Sequence, residues 1–261
     1  RNRGDSSEYE KQAYEEISKL GKSVTRVFPK MLREYDNDYK VTRFICAFIT
    51  NMEAKSLIPD LVDILMTPNY RRQYDVINTV FALDRMATLK ALEKALEKGN
   101  KSRKVKAMNV MQMRFDELMV PMIKDYLASS DVELRRAAFQ VLERTGNVDT
   151  HKDLLMKGLE DKDQQVRTSA LSALGRAQVP EALEPLLKLV KDEEADYSSR
   201  MRAFSVLIRY ETIKVKEVYD EILSNKSRKN QNMRNYVLMM LRNVKQDWAL
   251  DVARELLDSK D

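Results

Sequence analysis

Two stretches, Asp131-Val-Glu-Leu134-Arg135-Arg-Ala-Ala138-Phe-Gln-Val141-Leu142 and Asp163-Gln-Gln-Val166-Arg167-Thr-Ser-Ala170-Leu-Ser-Ala173-Leu174, decide the fold. Superposed with a shift of 32 residues, they share an opening Asp, an aliphatic-Arg pair, a small residue three positions later and an apolar pair at the end. Apolar or small residues at the third, seventh, tenth and eleventh positions after the Asp lie on one face of a 3.6-residue helix and cannot lie on one face of a strand. Asp in front of such a helix is a natural N-cap, because its carboxylate accepts from the unpaired N–H groups of the first turn.

Working outward, similar copies are read at Ser198-x-x-Met201-Arg202-x-x-Ser205-x-x-Ile208 and Asn230-x-x-Met233-Arg234-x-x-Val237-x-x-Met240-Leu241. Upstream, the pattern continues at Asp38-x-x-Val41-Thr42-x-x-Ile45-x-x-Phe48-Ile49 and, more loosely, from Asn69 to Val80 and from Ser102 to Met113. These seven copies recur at spacings near 32 to 35 residues. After each comes a second amphipathic helix, and three of these, Ile58–Leu65, Val120–Leu127 and Glu184–Val190, carry a Pro at the same place: Pro59, Pro121 and Pro185. Proline is tolerated only in the first turn or at a kink, so its recurrence predicts one shared geometry. The fold class that follows is all-α: a right-handed α-solenoid of about eight antiparallel helix pairs, each burying apolar surface against its neighbours.

The Asp, the aliphatic-Arg pair, the small residues and the Pro-containing second helix resemble the HEAT repeat family, in its short, phycobilisome-lyase-like variety. The match is best in the two central copies and extends in weaker form over 38 to 261. The resemblance implies a binding scaffold, with the second helices lining a concave face. It also implies that the Arg column, Arg135, Arg167, Arg202 and Arg234, pairs with Asp of its own or the adjacent repeat as a ladder inside the stack. Tetratricopeptide and ankyrin signatures are absent.

One domain over 1–261 is expected, with an atypical amino-terminal cap over 1–37, repeats over 38–246 and a closing helix over 247–261. The cap reads as a helix pair, Ser6 to Leu20 and Ser23 to Tyr35, without the Arg column, as a terminal unit covering only one neighbour would be. No domain boundary is visible. The loosest points are the acidic Lys191 to Tyr197 stretch and the Asn225 to Gln231 connection.

Composition agrees with an all-α chain: six Gly and six Pro accompany 33% charged residues in 261 positions. The single Cys46 lies in an apolar run and reads as a buried core residue. His151 is the only histidine and falls after Asp149 and Thr150 at a helix start, so it reads as a solvated or capping group. No catalytic constellation, metal-ligand spacing, phosphate loop or cofactor site can be assembled around these residues, and the chain reads as non-enzymatic. Acids with Lys and Arg three or four positions away, as in Glu93-Lys-Ala-Leu-Glu97-Lys98, read as an ordinary solvated helix face. No apolar run approaches the ~20 residues of a membrane span. The chain is therefore expected to be soluble, cytoplasmic or periplasmic, and its start at Arg1 suggests a mature or trimmed fragment.

The net charge of +5 is unevenly spread. Between Tyr197 and Lys245 there are eleven Lys and Arg against four Asp and Glu, and Lys98 to Lys106 holds five cations and no acid. The tetrapeptide Lys-Ser-Arg-Lys occurs at 101–104 and again at 226–229. Its loop residues Lys101, Arg103, Lys104, Lys226, Arg228 and Lys229, together with Lys188 and Arg242, are the candidate partner-binding positions; Asp63 and Lys124 are further candidate contact positions on the second helices. The partner expected is another protein, through an acidic segment. The alternative is nucleic-acid binding through the basic region 197–245, which Tyr210, Tyr219 and Tyr236 do not favour because they read as core or groove residues rather than stacking platforms.

Overall fold

In the computed structural model, which describes residues 15–17, 19, 21–210, 213–244 and 248–258, the chain is helical, with no strand among those residues. It forms two compact units, Arg1–Asp125 and Tyr126–Asp261. The first contains α1 (Phe28–Glu34), α2 (Tyr39–Asn51), α3 (Ile58–Leu65), α4 (Gln73–Leu83), α5 (Arg85–Lys98), α6 (Lys101–Met113) and α7 (Val120–Ile123). The second contains α8 (Val132–Leu142), α9 (Val148–Leu159), α10 (Gln164–Arg176), α11 (Leu183–Lys191), α12 (Tyr197–Leu207), α13 (Ile213–Ser224), α14 (Gln231–Leu241) and α15 (Trp248–Asp258). The expected helix Ser6 to Leu20 lies mostly outside the described residues.

The architecture within each unit is an all-α solenoid. First helices pack on first helices, α2 on α4 in one unit and α8, α10, α12 and α14 in succession in the other. Second helices pack on second helices, α1 on α3 and α3 on α5, and α11 on α13. Consecutive pairs are stitched by α3 against α4, α5 against α6, α9 against α10 and α11 against α12.

Capping resets the register of two copies. The carboxylates of Asp38, Asp131 and Asp163 each accept from two backbone N–H groups of the following turn, as the sequence predicts. At the Ser198 copy, however, Asp196 is the cap, accepting from Ser199, and at the Ser102 copy the cap is Asn100, accepting from Arg103. Asn69 caps nothing; it sits in a turn with φ +59°, and α4 begins only at Gln73. The copies therefore open at 38, 69, 100, 131, 163, 196 and 230, at intervals of 31, 31, 31, 32, 33 and 34 residues.

In this register the core positions line up. The seventh residue after each opening is Ile45, Val76, Ala107, Ala138, Ala170, Ala203 or Val237, none more than 2% exposed. Large apolar residues behind them, Phe48, Leu61, Leu142 and Leu174 among them, are fully buried and contribute about 1.5–3 kcal/mol each. Small residues let the helices close: a Cβ on Gly158 would stand 2.3 Å from Phe139 and 2.8 Å from Ala170, and one on Gly175 would stand 2.2 Å from Val206.

The fourth position carries the Arg column, and its role differs from an Arg-Asp ladder. Arg135 does bind Asp161, at 2.9 and 3.1 Å, but it also donates to the carbonyls of Ser129 and Ser130. Arg167 donates to the carbonyls of Asp161 and Lys162, and Arg234 to those of Asn225 and Ser227. Arg200, not Arg202, fills the column in its repeat: it is 3% exposed and donates to the Val190 carbonyl and to Asn230 Oδ1. In the first unit Thr42 reaches the Tyr35 carbonyl and Gln73 the Tyr70 carbonyl. The column thus ties each first helix mainly to backbone carbonyls of the connection that leads into it. Carboxylate pairing falls partly to neighbouring arginines, Arg136 on Asp163 and Arg85 on Asp116. Arg202 instead reaches across a repeat to Glu143, which Arg176 also binds.

Other differences are local. The expected helix Ser23 to Tyr35 divides at Pro29 into a 3-10 turn, Gly21–Val27, and α1. Pro59 and Pro121 are second residues of their helices whereas Pro185 is the third, yet α3, α7 and α11 share a 3-10 entry turn. The two stretches read as loose hold each other: Glu193 accepts from Asn225 and Ser227, and Glu194 from Lys229. Cys46 is buried, and burial pushes its thiol up to about 11. Tyr210 and Tyr219 are core residues, Tyr210 donating to the Val179 carbonyl.

Two stability measurements follow. Gly158→Ala should lose about 1–3 kcal/mol in denaturant unfolding, the usual cost of overpacking; an unchanged midpoint would show that Phe139 yields freely. Arg136 beside Asp163, and Arg85 beside Asp116, hold those carboxyls below the usual carboxylate range. The folded chain therefore binds fewer protons at these sites, so their stabilisation is complete above the ordinary value of about 3.9 and fades as pH falls below it. The melting temperature is expected to drop from about pH 5 to about pH 3, and Asp163→Asn to make that slope shallower.

Candidate functional site

The second-helix layer of the first unit holds an open groove of about 720 Å³ between α3 and α5. Its geometry follows from the sequence of α5, Arg85-Met-Ala-Thr-Leu-Lys90-Ala91-Leu-Glu-Lys94-Ala95-Leu-Glu-Lys98. Leu89, Leu92 and Leu96 point into the core. That leaves two parallel stripes at four-residue spacing, Ala87, Ala91 and Ala95 beside Lys90, Lys94 and Lys98, and both line the groove. Because alanine is short, the groove is deep along its stripe. The facing wall is Ile58, Pro59 and Val62 of α3, of which Pro59 is exposed while Ile58 and Val62 are buried and offer only their outer edges.

Lys55 and Arg103 complete the positive lining, against Asp60 and Asp63. Asp63 is occupied by two arginines, Arg103 at 2.6 Å and Arg33 at 3.2 Å, while Lys55 is 3.3 Å from Asp84. Lys90, Lys94 and Lys98 are exposed, and no carboxylate stands within ion-pair distance of them among the described residues. Three uncompensated ammonium groups on one wall, opposite an aliphatic one, form an anion-attracting trough with an apolar side.

The structure redistributes the residues singled out in the sequence. Lys101, Arg103 and Lys104 are not in a loop; they form the first turn of α6, and Arg103 borders the groove. Arg228 and Lys229 lie in a 3-10 turn, with Lys226 just before it, and Lys229 is held by Glu194 at 2.5 Å, which keeps its ammonium above the ordinary range. Arg242 is the exposed C-cap of α14. Lys188 lies on α11 in a smaller groove of about 320 Å³ with Lys191 and Lys214, but those two are already bound to Glu221 and Glu184. Lys124 is exposed in the 3-10 turn Lys124–Ala128. The candidates thus fall in two units, and in the second unit several basic side chains are matched by acids of the same unit. Lys245, the last residue of the basic region, lies outside the described residues.

Sequence reading took Lys94 and Lys98 as part of a solvated face and did not single out Lys90. The available signal was the coincidence of an alanine stripe and a lysine stripe on one helix. Among the described residues no group of three or more His, Cys, Asp or Glu stands together to hold a metal ion, and no helix is long and apolar enough to cross a membrane. His151 is half-buried in the first turn of α9.

Among solved structures, the chain is similar to an engineered protein at 16% identity, covering 90% of this chain and 71% of that one, with a TM-score of 0.45. A second engineered protein is 17% identical, covering 77% and 96%, with a TM-score of 0.45. A designed armadillo repeat protein is 14% identical, covering 81% and 98%, with a TM-score of 0.44. No curated protein matches the sequence. Residues 120–208 match the family model for HEAT repeats. The matched stretch contains both of the Asp-aliphatic-Arg copies quoted above.

Proposed function

We propose that this protein is a non-enzymatic interaction scaffold that binds another protein on the second-helix layer of its first unit. The observation that carries the proposal is the α3–α5 groove, where an open trough of about 720 Å³ exposes three lysines with no ion-pair partner among the described residues, beside aliphatic side chains. Glu93 and Glu97 stand three positions after Lys90 and Lys94 as on any solvated helix face, but what sets these lysines apart is the cleft beside them, lined by alanines and by Ile58, Pro59 and Val62. Repeat arrays offer long surfaces of this kind because each unit contributes one helix to a shared layer.

The nucleic-acid reading has less support. Its proposed surface, 197–245, has Lys214, Lys216 and Lys229 bound to Glu184, Asp220 and Glu194, and of its aromatic residues Tyr210 and Tyr219 are buried and Tyr236 is half-buried, with Tyr197 exposed at the region's edge. Strong binders of single strands instead combine unpaired cations with exposed rings.

A photo-reactive residue at Ala91, in the groove, should crosslink to a protein in extracts of cells that make this chain, while the same residue at the exposed Tyr74 of α4 should not. Equal adducts at both positions, or adducts with nucleic acid alone, would overturn the reading.

A further inference from the structure

The lysine stripe also specifies the form of what binds, and this inference rests on the groove being the partner site. Lys90, Lys94 and Lys98 stand on successive turns of α5, so their attachment points repeat at about 6 Å. In an extended peptide, every second side chain faces the same way and repeats at about 6.6 Å. A strand laid along α5 with acids at alternate positions would therefore meet one lysine per acid at three successive acids, with about 1 Å of drift accumulated over the two intervals. Its intervening side chains would point the opposite way, toward Ile58, Pro59 and Val62.

We propose that the α3–α5 groove binds an extended segment of a partner protein in which carboxylates alternate with aliphatic residues, the carboxylates on Lys90, Lys94 and Lys98 and the aliphatic side chains on α3. Charge complementarity selects an acidic occupant, and the lining selects a peptide over an oligonucleotide. A phosphodiester chain has charges at comparable spacing, but no aromatic side chain lines the groove for its bases to stack on. The facing wall suits branched aliphatic side chains. Two features limit the register. Arg103 is committed to Asp63 at one border, so a fourth acid gains little there. Asp60, the other acid of the lining, disfavours an acidic residue on the α3 side and so reinforces the alternation.

The test uses the intact chain and labelled peptides of one composition in two orders, Glu-Val-Glu-Val-Glu-Val-Glu and Glu-Glu-Glu-Glu-Val-Val-Val, followed by fluorescence anisotropy at low and physiological salt. The alternating peptide should bind at least ten-fold more tightly, weaken as salt rises, and lose at least ten-fold in affinity to Lys94→Glu, whose exposed position leaves the melting temperature unchanged. Lys94→Ala should give a smaller loss, and Glu93→Lys, outside the groove lining, none. Equal binding of the two orders overturns the alternation, and displacement of the peptide by an oligothymidylate at equal concentration overturns the peptide as occupant. If neither peptide binds while the crosslinker at Ala91 still captures a protein, this inference fails and the scaffold reading survives; if the crosslinker captures nothing either, both fail.

Discussion

The structure depends on how each repeat ties down the connection that precedes it. The backbone of such a connection carries carbonyl groups outside any helical ladder, and a donor from the next helix fixes where the chain turns. Here the donor comes from the next first helix, at the fourth position after its opening residue. Arg135, Arg167, Arg200 and Arg234 fill this role in one unit, Thr42 and Gln73 in the other. Arginine is the most capable of these, because its planar fork can bind two carbonyls and still offer an edge to a carboxylate, as Arg135 does with Asp161. The shorter side chains of Thr42 and Gln73 reach only one carbonyl each.

This constraint explains which parts of the fold were legible. A donor four residues after a cap, a small residue three later and an apolar pair after that make a pattern of fixed spacing, so the central copies could be read directly from their residues. The pattern misled at 196 because its aliphatic position is occupied by Ser199, while Met201-Arg202 two residues on imitates the aliphatic-Arg pair. The Asp196 cap, Ala203 and Val206-Leu207 preserve the true register. At 100 the same two-residue slip arose, because Asn100 caps the helix while the neighbouring Ser102 has the same chemical aptitude.

The groove was less legible, for a different reason. The lysine spacing on α5 is visible in the sequence, but whether the alanines beside it face a neighbouring helix or open space depends on the layer in which α5 lies and on how far α3 stands from it. Basic residues that drew attention by local density, such as Lys229, turn out to be neutralised by an acidic loop some 35 residues away in the chain. Density along the sequence measures how much charge is present; it does not measure how much remains uncompensated after folding, which is the quantity a partner senses.

Glu143 has a bearing on how the second unit comes apart. In a linear array, folding energy is approximately a sum over single repeats and adjacent interfaces, so such arrays can fray from an end one step at a time. A carboxylate buried at 8% exposure that grips Arg176 of the following repeat and Arg202 of the one beyond adds a next-nearest-neighbour linkage to that sum. Losing α12 would strip one of two cations from an acid still held in the interior, a penalty that falls on helices not yet undone. Disassembly is thereby pushed toward cooperativity over three repeats at once, so this stretch would hold its surface rigid where a simple array would breathe.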